Sequence, residues 1–255
     1  LKLLNIITSN RLKKFCLKAN GISYVTEHSI QKHYPAYSML HGETNEHFHT
    51  YYSTITLSDK AFTGPRDFTN NVSIKLVLSS VAMNSERKGE KVVIETVKKC
   101  RDLGYEVSAI LIGDGTLRKS FEDYANQLGI DQYIEFTGLL PSSDHVREVM
   151  QNADMFVFPT MGEGLPRGIL EAMAIGMPVL STPVGGIPEV IDRKYLFDPL
   201  DSDGFAKMIC HLIDNKNELN EMSKTNFNKS KEFRNSILQK RRDEFYFKLK
   251  DLSRK

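Results

Sequence analysis

The chain has 255 residues, of which 40% are hydrophobic and 26% charged, and its formal net charge is +2. That length and apolar content suffice for one large or two modest globular domains and exclude a disordered tail. A charge so near neutral argues against a nucleic-acid partner. It leaves two local basic patches, Lys13, Lys14 and Lys18, then Lys240, Arg241 and Arg242, as solvated helix faces or contacts to an anionic membrane surface.

In chain order, Leu12, Phe15, Cys16 and Ala19 predict one helix face, ended by Gly21. "ISYVT" predicts a strand and "HSIQKHY" a short helix stopped at Pro35; residues 36–71 read as polar and turn-rich. Within them "HGETNEHFHT" gathers His41, Glu43, Glu46, His47 and His49, but in a spacing that fits no established metal-binding helix motif, so an exposed polar loop and no metal are expected. Cys16, Cys100 and Cys210 are odd in number and widely spaced, each in a helical pattern, which predicts reduced, buried thiols in a cytoplasmic protein. No apolar run of about 18 residues and no charged-then-apolar leader occurs, so neither a membrane span nor a signal peptide is expected. The start at Leu1 rather than Met suggests a fragment.

From about residue 73 onward, short apolar runs alternate with helical patterns, the signature of an α/β protein with a Rossmann-like, doubly wound parallel sheet. "IKLVLSSV", "EVSAILIG", "YIEFTG", "MFVFPT", "PVLST" and "YLFD" predict roughly six strands. Between them lie a helix carrying Val93, Ile94, Val97 and Cys100 and closed by Gly104, a helix carrying Leu117, Phe121, Ala125 and Leu128 and ended by Gly129, and one from Ser143 to Asn152 capped by Ser142 or Ser143. Helices continue to the end of the chain.

Ligands of open parallel sheets bind beyond the carboxyl ends of the strands, and three loops there are rich in glycine. "GDG" (Gly113, Asp114, Gly115), "MGEGLP" and "TPVGGIPE" each offer backbone N–H groups to an anion, or are simply tight turns. "GDGTLRK" lacks the third glycine of a dinucleotide fingerprint, which removes the usual support for hydride chemistry. Arg87 and Lys88 follow the first strand's loop, where they either neutralise phosphate or start a solvated helix. Glu163 precedes a helix N-terminus, a place that stabilises any carboxylate. Glu171 lies amid Ile169, Leu170, Ala172, Met173 and Ala174, where an unpaired acid costs several kcal/mol. It therefore needs vicinal hydroxyls, such as those of a ribose, or an internal arginine or backbone partner.

The segment "EGLPRGILEAMAIGMPVLSTPVGGIPEVI", with Glu163 and Glu171 spaced E-x(7)-E, resembles the signature of the retaining GT-B glycosyltransferases of the group-four family, the glycosyl transferases group 1. "ERKGEKVVIETV", "LIGDGTLRKSFEDYANQLGI", "IEFTGLLP" and "NADMFVFPT" precede it in the family's order, and the likeness covers about residues 73 to 215. The resemblance implies a sugar nucleotide donor, a UDP-, GDP- or ADP-sugar, and transfer with retained configuration, without metal or other cofactor. Glu163 matches the acid that touches the donor sugar and Lys88, with Arg87 beside it, the cation at the leaving diphosphate; these imply the catalytic pair. Glu171 matches the acid on the ribose. Gly164, Leu165 and Pro166, with Gly113 and Gly115, match the donor's phosphate surroundings, and Thr137, Gly138 and Leu139 in "TGLLP" the loop under the base. An arginine usual five or six residues before the lysine is replaced here by Ala82 or Met83.

The same resemblance divides the chain into an incomplete acceptor-side N-terminal remnant (1–72), a nucleotide-sugar-binding domain (73–230) and a C-terminal helix (231–255) that packs back toward the N-terminal part. The function implied is transfer of a hexosyl-type sugar to a polysaccharide or lipid-linked acceptor, in the cytoplasm or peripherally on the inner membrane face. The alternatives are a non-catalytic sugar-nucleotide binder or assembly subunit, and a related epimerase or phosphorylase, against which the E-x(7)-E segment argues.

Overall fold

A computed structural model describes residues 2–254, with side chains from residue 6 onward; Leu1 and Lys255, the expected outer domain limits, lie outside the described residues. The chain forms two units, 1–58 with 232–255, and 59–231.

The smaller unit begins with α1 (Lys2–Lys18), β1 (Gly21–Tyr24), α2 (Ser29–His33), α3 (Tyr37–His41) and β2 (Phe48–Tyr51). Strands β1 and β2 pair in parallel, Gly21 opposite Phe48 and Tyr24 opposite Tyr51. Side chains of Phe48, Phe245 and Leu249 crowd Gly21 so closely that a Cβ there would lie about 3 Å from each, which is why the strand opens on glycine. The expected face of α1 is corrected: Cys16 is buried, but Leu12 and Phe15 are exposed. Apolar residues are spread around this helix between lysines, so no single stripe is covered. The turn-rich reading of 36–71 also changes, since α3 and β2 lie within it; β2 buries only Phe48, too little apolar alternation to read as a strand.

The larger unit runs β3 (Ile74–Ala82), α4 (Glu90–Asp102), β4 (Val107–Asp114), α5 (Arg118–Gln127), β5 (Ile134–Gly138), α6 (Ser143–Gln151), β6 (Met155–Phe158), α7 (Arg167–Ala174), β7 (Val179–Ser181), α8 (Ser202–Asp214) and α9 (Lys216–Ser230); α10 (Asn235–Leu252) then returns to the smaller unit and packs Phe245 edge-on to Phe48 at 5.6 Å. The sheet has five parallel strands in the order β5-β4-β3-β6-β7. Leu76, Val77 and Leu78 of β3, Leu111 of β4 and the whole of β6 are buried, as expected for strands covered on both faces. The expected sixth strand, "YLFD", is a single bridge between Ser181 and Leu196 with Phe197 N–H donating to Ser181 O at 2.9 Å. Pro199 has no N–H with which to extend it. The three cysteines are free and buried.

Residues 59–72 pack in the larger unit rather than with the first 58 residues. Arg66 fixes them there: its Nε donates to Ile175 O at 2.9 Å, Nη1 to Ala153 O and Nη2 to Met150 O at 3.4 Å, while its backbone N–H donates to Ser223 Oγ at 2.8 Å. One guanidinium thus satisfies carbonyls at the ends of α6 and α7. Arg66→Ala is expected to destabilise the fold by about 3 kcal/mol, by leaving those carbonyls unpaired. Urea unfolding should show a lower midpoint with an unchanged slope; an unchanged midpoint would mean that water replaces the guanidinium without loss.

Candidate functional site

The chain builds β3, β4 and β5 outward in one direction and then returns to place β6 beside β3. The loops at the carboxyl ends of β3 and β6 therefore become neighbours where the strand order reverses, the usual ligand position in such sheets.

Backbone contacts fix these two loops against each other. Arg87 O accepts from Met161 N–H at 2.9 Å and from Thr160 Oγ1 at 3.3 Å. Gly89, at φ +89, lies so near the β6 loop that a Cβ would stand 2.6 Å from Pro159 O, so only glycine fits. Lys88 is thereby directed to the β6 loop, where Nζ donates to Glu163 Oε1 and lies 5.5 Å from the centre of the Phe158 ring. Burial lowers the Lys88 pKa; the charge of Glu90 opposes that shift and Arg87 reinforces it.

The loop after β7 supports the loop after β6. Gly186 N–H donates to Gly164 O at 2.5 Å, and a Cβ on Gly185 would strike Glu163 O. Ser181 Oγ and Thr182 Oγ1 donate to Phe158 O and Thr160 O, each at 2.7 Å. Pro166 caps α7, and the N–H groups of Gly164 and Leu165 donate to no group among the described residues. Arg87, Lys88, Glu163, Gly164 and Leu165 therefore share one sheet edge at the strand reversal.

Glu171 lies on α7, its flanking residues Leu170 and Ala172 fully buried. Its partner is an arginine: Arg147 of α6 places Nη1 3.5 Å from Glu171 Oε1. Burial pushes the Glu171 carboxyl up, while Arg147 and then Arg167 pull it back.

The "GDG" glycines meet protein rather than open space. A Cβ on Gly113 would strike Ser80 O, one on Gly115 would lie 2.6 Å from Asn84 Oδ1, and Gly115 N–H already donates to Asp114 Oδ1 at 2.7 Å. Close approach of β4 to the end of β3 accounts for both residues. Thr137 and Gly138 end β5, two strands from β3, and Leu139 follows them. Thr137 Oγ1 donates to Gly138 O at 3.0 Å, Gly138 has φ +73 beside the Arg118 guanidinium, and Leu139 is exposed.

Two residues at the site escape sequence reasoning. Arg147 carries no local signal, because its partner is 24 positions away. Glu90, the first residue of α4, is fully buried behind Lys88. Neither of its oxygens, nor Ser80 Oγ, makes a hydrogen bond of good geometry; burial pushes the carboxyl up, opposed in part by its own backbone N–H, by Ser80 and by Lys88. An acid directly after Lys-Gly, at the start of an amphipathic helix, is the signal that could have found it. In the histidine-rich loop, His49 Nδ1 lies 3.2 Å from Glu43 and 3.0 Å from Ser38 Oγ; among the described residues no group of three or more His, Cys, Asp or Glu is placed to bind a metal.

Residues 75–215, more than half of the chain, match the family model "Glycosyl transferases group 1". The chain is 26% identical over 200 residues to protein CapJ of Staphylococcus aureus, covering 78% of this chain and 48% of CapJ. It is 30% identical over 125 residues to the amylovoran biosynthesis glycosyltransferase AmsK of Erwinia amylovora, covering 47% of this chain and 30% of AmsK. The chain thus spans about half the length of CapJ or less of its curated relatives. The Anabaena protein Alr3699/HepE, solved in complex with UDP, superposes with a TM-score of 0.71 at 20% identity, over 92% of this chain and 65% of HepE, and so shares the fold.

Glu90→Gln tests the strain at the base of this site. A raised folded pKa means that the folded state binds the proton more tightly, so wild-type stability falls as pH rises from the ordinary glutamate value of about 4.3 through the higher folded one. Unfolding curves should show the variant gaining over wild type near pH ~8 and losing that gain at pH ~4, where both states are protonated. A gain independent of pH would assign the effect to packing instead.

Proposed function

The chain belongs to the glycosyl transferases group 1 family, and from that membership we propose that its larger unit binds a nucleotide-sugar donor. Within the whole protein, the sugar passes to a polysaccharide or lipid-linked acceptor with retention of configuration. The observation that carries this reading is the Lys88–Glu163 pair spanning the strand reversal, a cation and an acid held together where an anionic ligand enters. The name of AmsK as an amylovoran biosynthesis glycosyltransferase and the UDP-bound HepE support a glycan product and a uridine nucleotide, with GDP and ADP as the other candidates.

In this reading a diphosphate exchanges places with Glu163 on Lys88. Breaking the bond from the sugar anomeric carbon to the diphosphate leaves the electron pair on phosphate oxygen, and Lys88, Arg87 and the Gly164 and Leu165 N–H groups are preplaced for that charge. The acceptor hydroxyl forms the new bond from the face the diphosphate leaves, and its proton passes to the departing phosphate oxygen. Glu163, released from Lys88, accepts hydrogen bonds from the donor sugar, and Glu171 accepts those of the ribose hydroxyls. Backbone of residues 137–141 borders the base, and residues of the first 58 belong to the acceptor side. Among the described residues no helix is long and apolar enough to cross a membrane; a lipid-linked acceptor would be met peripherally, at the cytoplasmic face.

Calorimetric titration of the chain with UDP, GDP and ADP checks the donor site. One nucleotide should bind with micromolar affinity, and Glu171→Ala should weaken it about 10- to 100-fold, the worth of hydrogen bonds to a charged group. Lys88→Ala should narrow the preference for a nucleoside diphosphate over its monophosphate. A folded chain that binds none of the three would overturn the reading.

A further inference from the structure

Glu171 is 16% exposed, and the group that faces it from outside its own helix is Arg147, 19% exposed, on α6. The same guanidinium has a second acid: Nη2 donates to Asp144 Oδ1, in the first turn of α6, and Asp144 is 78% exposed. Arg147 therefore bridges one carboxylate inside the protein and one in water. The two contacts are unequal. Asp144 is held closely, whereas 3.5 Å to Glu171 is the outer limit of a hydrogen bond, where Coulomb attraction persists but directed bonding is weak. Among the described residues Glu171 Oε2 accepts no hydrogen bond.

We propose that Arg147 is a positioning residue for Glu171, keeping its carboxylate charged in the free protein and in the complex, and ceding its directed contact to the ribose hydroxyls by turning toward Asp144 while its charge stays near. This inference rests on the reading of Glu171 as the ribose acid. An ionised carboxylate accepts from both vicinal hydroxyls, and charge-assisted bonds are roughly twice as strong as neutral ones, so an acid kept charged binds the ribose better. Burial works against that charge, and Arg147 is the first of the groups that oppose it. The charged groups facing Glu171 are Arg147 from α6 and Arg167 from its own helix; Asp144 reaches it only through Arg147. Asp144 supplies what an exchange requires, a second partner, so that the released guanidinium is never left unpaired in a half-buried place.

Calorimetric titration with UDP, GDP and ADP, at about pH 6 and about pH 8, tests the exchange on wild type, Arg147→Gln, Arg147→Lys, Asp144→Asn and Glu171→Gln. Arg147→Gln should weaken the nucleotide that binds wild type about fivefold, more at the lower pH than at the higher, because burial then raises the Glu171 carboxyl with less opposition. Arg147→Lys should restore most of the loss. Asp144→Asn, at an exposed position where a merely structural role predicts no effect, should also weaken binding, because Arg147 then stays on Glu171. Carbon NMR of the Glu171 carboxyl, assigned with Glu171→Gln, should titrate at higher pH in Arg147→Gln and at lower pH in Asp144→Asn. Binding lost in Glu171→Gln but unchanged in both Arg147→Gln and Asp144→Asn would overturn this inference alone. Absence of binding to wild type would overturn the ribose reading and the exchange with it, whatever the carboxyl titration shows.

Discussion

The approach of two loop backbones at the carboxyl ends of β3 and β6 is the constraint on which the site depends. Arg87 O is fixed by Met161 N–H, and Gly89 lies where a Cβ would collide with Pro159. The two strands are adjacent only because the chain reverses direction in the sheet, so loops 70 residues apart in sequence become neighbours. With the backbones this close, the single residue between Arg87 and Gly89 must extend toward Glu163. A side chain at 89 would push the loops apart and separate the pair.

That geometry sets an electrostatic pattern that the proposed function uses. Both acids of the E-x(7)-E segment are half-buried, and each faces a cation supplied by a different element, Lys88 from the β3 loop and Arg147 from α6. The Arg147 contact is long, and Lys88 pays a desolvation penalty reflected in its lowered pKa. In the proposed function, the diphosphate and the vicinal hydroxyls of a nucleotide-sugar replace these partners. Glu90 differs in kind: among the described residues it is fully buried without a well-formed hydrogen bond, and its charge opposes the lowering of the Lys88 pKa.

Glycines in this protein serve two purposes that look alike in one dimension. Gly113 and Gly115 fill places where β4 meets the backbone and side chain of residues 80–84, so packing explains them without any ligand. Gly164 and Leu165, in contrast, leave backbone N–H groups without partners among the described residues, next to Glu163 in the chain. A Gly-rich loop after a strand therefore indicates a position at the sheet edge; which N–H groups remain available depends on neighbours from other loops.

The sequence by itself determined the parallel sheet, the order and extent of most of its elements and the edge on which the chemistry-bearing loops lie, because buried strands and amphipathic helices impose short-range periodicities. It also singled out Glu171, since a carboxylate in an apolar helix is a local contradiction. It did not reveal that "YLFD" makes one bridge instead of a strand, that Phe48–Tyr51 is a strand, or that residues 59–72 join the larger unit through Arg66. Each of these depends on a partner far along the chain. Tertiary structure alone decided that Arg147 reaches Glu171, that Glu90 is buried behind Lys88 and that Gly115 has no free N–H, since ion pairing, burial and hydrogen-bond occupancy depend on distances between elements that no local pattern encodes.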